Sequence, residues 1–324
     1  MAGVINVVDL LRRKWLALAL IIVIVGVSLA TFSPNPENAP GKRVKVLATF
    51  YPLAYLAEEI GGDRVSVRTL IPYNTEVHSW QPSVSDIIAV SDADIIILNG
   101  GGLDWWMEEI LNSINTSGKL IVNTTEGLEL IPLGNESSEE GGHARIHANY
   151  DPHTWLSPYM ATRQAEKIFS ALVEEDSFGR EYYQARFEVL KKRLEDLDSK
   201  YQEELANKTR DVIIVAHEAY GYLAARYGFR QQGIIGISAD QQPSLQAIKD
   251  LVDMMTRDNI KVIYLDPAYS DSYVMMLKRE VEARTGWNVQ VIKLYLALGP
   301  VDGRDYIGQM EANLKALKAG LTMP

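Results

Sequence analysis

Tyr150-Asp-Pro-His-Thr-Trp-Leu-Ser-Pro158 stands near the middle of a 324-residue chain, and the rest of the sequence is laid out around it. Pro152 fixes its own φ and lacks an N–H donor, so His153 follows a stiff turn. Ser157-Pro158 has the form of an N-cap followed by the first helical residue. A helix starting here leads into the longest helical pattern of the chain. Tyr183, Phe187, Leu190, Leu194, Leu197, Tyr201 and Leu205 form a single apolar stripe, with Lys191, Lys192, Glu195 and Asp198 on the other faces. A helix over Tyr182–Ala206 would run roughly 37 Å at about 1.5 Å per residue, enough to span two lobes. The stripe could serve as a coiled-coil seam, but at only about three heptads it suits packing against the chain's own lobes, which implies a monomer.

On both sides of this helical region, short apolar runs alternate with helical patterns. Val44–Thr49, Val65–Leu70, Asp94–Asn99 and Leu120–Asn123 read as strands before it. Val212–Ala216, Gly233–Ile237, Lys261–Leu265 and Val289–Ile292 read as strands after it. Helical segments ending at Ile60 or starting at Ser83 and Leu103 fill the first half. Ser244–Asp258, Asp271–Thr285 and Asp305–Ala319 fill the second. Strands alternating with helices predict an α/β protein of two doubly wound parallel-sheet lobes joined by a long helix, with ligands at the carboxyl ends of strands. The expected divisions are 1–41 for an export segment and tether, 42–157 for the first lobe, 158–207 for the linking helices and 208–324 for the second lobe. Gly100-Gly101-Gly102 lacks the later glycine of a dinucleotide fingerprint and reads as the close turn after a strand. Asp104-Trp105-Trp106 reads as packing and rim.

Composition narrows the function. With 47% hydrophobic residues the chain can bury substantial cores, and a net charge of −10 argues against nucleic acid as a partner. There is no cysteine, which excludes disulfides, thiolate metal ligands, a Cys nucleophile and a lipid-modified N-terminal Cys. Arg12-Arg13-Lys14 precedes the uncharged stretch Trp15–Phe32, the layout of a signal anchor or a signal peptide. Its length favours an anchor in the membrane, and Ser28-Leu29-Ala30 would suit cleavage. Ser33–Gly41 carries three prolines and reads as a tether, so the remainder faces outside the cytoplasm. Asn115, Asn123, Asn135 and Asn207 head Asn-X-Ser/Thr triplets, which suits that location.

The chain has five histidines: His78, His143, His147, His153 and His217. His143 and His147 lie in the acidic stretch Gly134–Asn149, a solvated loop or a loose metal-collecting one. His78, His153 and His217 fall in separate loops at strand or helix ends, where the architecture lets them converge on the interlobe cleft. Three neutral imidazoles make a ligand shell for Zn²⁺, whereas Mn²⁺ prefers more carboxylate. Unrelated polar loop histidines would look the same in sequence.

Several segments in order resemble the metal-binding substrate-binding proteins of zinc and manganese ABC transporters. They are Phe50-Tyr-Pro, Gly61-Gly-Asp-Arg-Val, His78-Ser-Trp-Gln-Pro-Ser, Ala93-Asp-Ile, Asn99-Gly, Asp151-Pro-His-Thr-Trp-Leu-Ser-Pro, Ala216-His-Glu-Ala-Tyr-Gly-Tyr-Leu, Tyr227-Gly and Tyr306–Leu317. The resemblance runs from Val44 to Leu317. It implies metal ligation by His78, His153 and His217, with His217 favouring Zn²⁺ over Mn²⁺. It also implies capture outside the cytoplasm and delivery to a membrane permease driven by a cytoplasmic ATPase. No phosphate-binding Gly-x₄-Gly-Lys-Ser/Thr loop occurs in this chain, so the ATP site would be elsewhere. The sequence departs from the family at the fourth ligand, where Lys293-Leu-Tyr-Leu-Ala-Leu-Gly-Pro300 has Ala297 in place of a carboxylate. Water, Glu76 and Asp266 are the candidates, in that order. Alternative readings are a Mn²⁺ carrier, an added role in cell adhesion, and an extracytoplasmic zinc hydrolase with Glu76 or Glu218 as base. No His-Glu-x-x-His motif or nucleophile elbow supports the last. Imidazole protonation is expected to weaken metal binding below about pH 6.5.

Overall fold

The computed structural model describes residues 43–133, 149–237 and 242–322. The N-terminal export segment with its tether, and His143 and His147, lie outside these residues. The first sheet is assembled from β1 (Val44–Ala48), α1 (Tyr51–Gly61), β2 (Val65–Thr69), α2 (Val84–Asp92), β3 (Ile95–Leu98), α3 (Met107–Ser113) and β4 (Leu120–Asn123). Its strands are parallel in the order β2-β1-β3-β4, with Val44 beside Val65 and Val46 beside Ile95. An inner parallel strand is covered on both faces, so β3 reads Ile-Ile-Ile-Leu without alternation, while the edge strand β2 alternates. Local chemistry sets the helix ends. Pro52 sits in the first turn of α1, and Gly62 closes it at a φ of 49°. At α2, Asp86 accepts from the backbone N–H and the hydroxyl of Ser83 at 2.9 and 2.7 Å.

Two helices cross to the second lobe, α4 (Pro158–Glu175) and α5 (Arg180–Glu204). Ser157 occupies the N-cap position of α4 with extended backbone, yet its buried hydroxyl makes no capping bond. Its carbonyl accepts from Ala161 at 2.9 Å, and Pro158 supplies the preset φ, so the start falls where expected by a different means.

The second sheet contains β5 (Val212–His217), α6 (Gly221–Tyr227), β6 (Arg230–Ile235), α7 (Leu245–Arg257), β7 (Val262–Leu265), α8 (Ser272–Thr285), β8 (Gln290–Lys293) and the closing α9 (Tyr306–Leu321). Its parallel order, β6-β5-β7-β8, repeats the winding of the first sheet. Three elements differ from the sequence expectation. β6 begins at Arg230 rather than Gly233, because an edge strand accepts Arg-Gln-Gln on its open side. The short α6 has no apolar period long enough to announce it. And α3 begins at Met107 rather than Leu103, since Gly100, Gly101 and Gly102 all hold positive φ and a turn follows them.

A single apolar core runs from the first sheet through the linking helices to one face of the second sheet, taking in Ile96, Leu172, Leu194, Val215 and Leu317. A smaller core with Ile214, Leu251, Ile263 and Leu277 fills the other face, under α7 and α8. The whole α5 stripe is buried, against α1, α4 and α9. Near its end Tyr201 donates its hydroxyl to the Met310 carbonyl at 2.7 Å. Leu194 is 0% exposed, and Leu194→Ala should therefore cost about 2–5 kcal/mol. Because the core is shared, denaturant unfolding of the metal-stripped protein should follow one transition in wild type and variant alike. A separate transition for the second sheet would show that the lobes stand independently.

Candidate metal centre

Three different backbone segments deliver histidines to one place beyond the carboxyl ends of the strands. His217 is the last residue of β5, His153 precedes the 3₁₀ turn Thr154–Leu156 that leads into α4, and His78 lies in the loop between β2 and α2. Nε2 of His153 stands 3.1 Å from Nε2 of His78 and 3.2 Å from Nε2 of His217. The ligand atoms of all three lie within 4.8 Å of one another, the one such group among the described residues. Tetrahedral Zn²⁺ with bonds of about 2.0–2.1 Å places its nitrogen ligands about 3.3 Å apart, so the spacing fits that ion.

The far side of two rings fixes which nitrogen faces the site. Nδ1 of His217 lies 2.8 Å from the carbonyl oxygen of Gly236, which can only accept, so Nδ1 carries the hydrogen and Nε2 keeps its lone pair. Nδ1 of His153 lies 2.8 Å from Oδ1 of Asp151, which also accepts the His153 backbone N–H at 2.9 Å. Carboxylate and carbonyl partners of this kind orient metal-binding imidazoles. Burial, then the proximity of the other histidines, pushes His153 and His217 well below the ordinary imidazole range. Both therefore stay neutral, as ligands must, at pH values where a free imidazole would protonate. The expected onset of proton competition moves below 6.5 for these two. Burial also pushes the Asp151 carboxyl up to about 7, against the pull of the His153 N–H and of His78.

The sequence reading did not pick out the groups behind His153. Asn99, at the end of β3, donates to the Pro152 carbonyl at 2.8 Å and accepts from Gln164 at 3.2 Å; Gln164 also donates to Thr124 at 2.8 Å. Gly101, beside Pro152, holds a φ of 62°, so it is the turn that favours glycine there; a Cβ would still stand 3.4 Å from Pro152 Cα, an ordinary contact. The available signal was the polar residue ending each strand.

Glu76 and Asp266, the two carboxylate candidates for a fourth ligand, stand outside the group of three histidines whose ligand atoms lie within 4.8 Å of one another. Glu76 accepts from the backbone N–H groups of His78 and Ser79 at 3.0 and 2.7 Å and from the Ser79 hydroxyl at 2.8 Å. Burial opposes its charge, but His78 and these donors hold its carboxyl below the usual range. Asp266 accepts from Leu296 and Ala268, bracing the loops after β7 and β8, and burial pushes it up to about 6. Ala297, at the position lacking a carboxylate, has a φ of 56°, unusual for a residue with a Cβ.

Residues 46–320 match the family described as ZnuA, the periplasmic component A of a zinc-uptake complex. The chain belongs to the ZnuA family. It is 31% identical over 317 residues to the high-affinity zinc uptake system protein ZnuA of Bacillus subtilis (strain 168), covering 95% of this chain and 98% of that protein. It is 30% identical over 291 residues to the zinc-binding lipoprotein AdcA of Streptococcus pneumoniae, but spans only 57% of its length. The crystal structure of Zn(II)-bound AdcA superposes with a TM-score of 0.73 at 26% identity, over 87% of this chain and 58% of that one. The iron-binding protein YfeA of Yersinia pestis is 29% identical over 300 residues, 91% of this chain and 93% of its own. The ZnuA family is one of solute-binding transport proteins, not enzymes, which removes the hydrolase reading.

The pH dependence of stability tests the burial of His217. The unfolded chain takes up a proton there below about pH 6.5, while the native state refuses it until lower pH, so His217 destabilises the native state on acidification. In metal-stripped protein, the stability of wild type relative to His217→Gln should fall as pH drops from 6.5 toward 5. A difference that stays flat in chemical denaturation across that range would contradict a depressed imidazole.

Proposed function

We propose that this protein captures Zn²⁺ in its interlobe cleft through His78, His153 and His217 and passes it to a membrane permease driven by a cytoplasmic ATPase. The observation that carries the proposal is the convergence of three Nε2 atoms, two of them oriented by hydrogen bonds to Asp151 and Gly236. Neutral nitrogen donors without a carboxylate suit Zn²⁺ better than the oxygen-preferring Mn²⁺. Water supplies the fourth position in this reading, since Glu76 and Asp266 are engaged with backbone donors.

The protein acts outside the cytoplasm, as its zinc-binding relatives do. Among the described residues no helix is long and apolar enough to cross a membrane. The proposed membrane attachment therefore rests on Trp15–Phe32 behind Arg12-Arg13-Lys14, either as a retained anchor or as an export signal. The buried α5 stripe leaves no apolar seam for a second copy on that helix, which supports a monomer.

Competitive calorimetry on chelator-stripped protein tests the cargo. The expected result is one Zn²⁺ per chain, bound more tightly than Mn²⁺ or Fe²⁺, with His217→Ala lowering the Zn²⁺ affinity by more than about 100-fold. Equal or tighter binding of Mn²⁺ or Fe²⁺ would change the assigned cargo. Unchanged affinity in the variant would remove His217 from the ligand set.

A further inference from the structure

The loop that carries His78 belongs to the first sheet by sequence, but much of its bonding is to the second lobe. Leu70 and Ile71 still donate to Ala48 and Thr49 at 3.0 and 2.9 Å, as continuations of β2. Beyond them the partners change. Asn74, at a φ of 57°, donates its backbone N–H to the Leu298 carbonyl at 2.9 Å and its side-chain amide to the Pro300 carbonyl at 3.3 Å. Glu76 then gathers the turn that presents His78. Its Oε2 accepts twice from Ser79, while Oε1 accepts the His78 N–H at 3.0 Å and the Tyr269 hydroxyl at 3.3 Å. Tyr269 comes from the loop after β7, with its ring 5.9 Å from that of His217.

We propose that Tyr269 is a latch: through Glu76 its hydroxyl ties the His78 loop to the second lobe and sets how fast the ion leaves. The proposal rests on the three histidines being the ligands and adds a positioning residue that touches the loop rather than the metal. His153 and His217 are poor candidates for movement. His217 is the end of a strand, and His153 sits beneath α4 with neighbours bonded across the lobes, Trp155 to the Leu296 carbonyl at 2.8 Å and Tyr222 to the Asp151 carbonyl at 2.6 Å. Opening the lobes widely would break those bonds and divide the shared core. His78 is the one member of the group that is not fully buried, and it lies on a loop. Swinging that loop outward removes one imidazole of three and leaves the scaffold intact, which is a loop motion of the kind that gates ligand exchange.

The test is stopped-flow release of bound metal to an excess of chelator, with Zn²⁺ and Co²⁺ measured separately on the full protein. Tyr269→Phe deletes one hydrogen bond to a charged acceptor and should speed release about five- to tenfold, with one metal still bound per chain. The factor should be the same for both ions, because the loop is presented to each in the same way. Tyr295→Phe, which deletes a hydroxyl bond to Asp302 at 2.7 Å, should leave release unchanged. Unchanged release from Tyr269→Phe would overturn the latch, and so would a factor that differed between Zn²⁺ and Co²⁺, which would mean that Tyr269 acts on the ion itself. Failure of the wild type to bind one Zn²⁺ would instead overturn the ligand assignment, and the two failures cannot be confused.

Discussion

The Nε2 lone pairs of His153 and His217 face one another at 3.2 Å, held close against their mutual repulsion, and the fold has to enforce that closeness. It does so by bringing each ring in on a different backbone. A strand end, a stiff Pro-containing turn ahead of a helix, and a loop from the other sheet edge meet at one crevice. The opposite nitrogens of His153 and His217 are tied to a carboxylate and a carbonyl, so neither ring can rotate its lone pair away without losing a buried hydrogen bond. A bound divalent cation turns the repulsion into coordination, and metal binding and native packing then reinforce each other.

The rigidity of that arrangement comes from where the apolar residues go. Doubly wound lobes could each have had a private core and a loose hinge. Here the residues buried on α5 face α1 and α4 toward one end and α9 at the other, and one apolar cluster continues through both lobes. Trp155 shows the consequence at the level of one residue. It directly follows the His153-Thr154 pair, packs edge-on against Phe50 of the first lobe at 4.7 Å, and donates to Leu296 of the second. Movement that frees the ion is thereby pushed into loops, and the His78 loop is one whose bonds to Leu298, Pro300 and Tyr269 reach the other lobe.

Much of this was legible in the residues. Inner parallel strands must be apolar on both faces, so Ile95–Leu98 and Val212–Ala216 could be found, and a 25-residue helix with a single stripe could be placed to within two residues. The three histidines could be singled out because each follows a strand or precedes a helix. The first residues of the edge strand, from Arg230, and the seven-residue α6 were hidden, since neither carries an apolar period. Glu76 shows a different limit. A carboxylate two residues from a histidine looks like a ligand in sequence, but the backbone N–H groups of His78 and Ser79 lie closer to hand and claim its oxygens. Sequence spacing says that a side chain is near, and only the turn geometry says which way it points.

That geometry also bears on how a site lacking a carboxylate at Ala297 can hold a doubly charged ion. Two acidic residues stand one step behind the imidazoles. Asp151 receives the Nδ1–H of His153, and Glu76 receives the backbone N–H that presents His78. A cation bound by neutral rings draws electrons from them, makes the far Nδ1–H of His153 more acidic, and so strengthens its hydrogen bond to Asp151. The same cation opposes the burial that raises the Asp151 carboxyl, and favours its ionised form. Charge is thus balanced at one remove, while the atoms touching the metal remain nitrogen. An ion that prefers nitrogen gains the full benefit of this arrangement. One that needs anionic oxygen in direct contact finds none in the proposed set of three imidazoles.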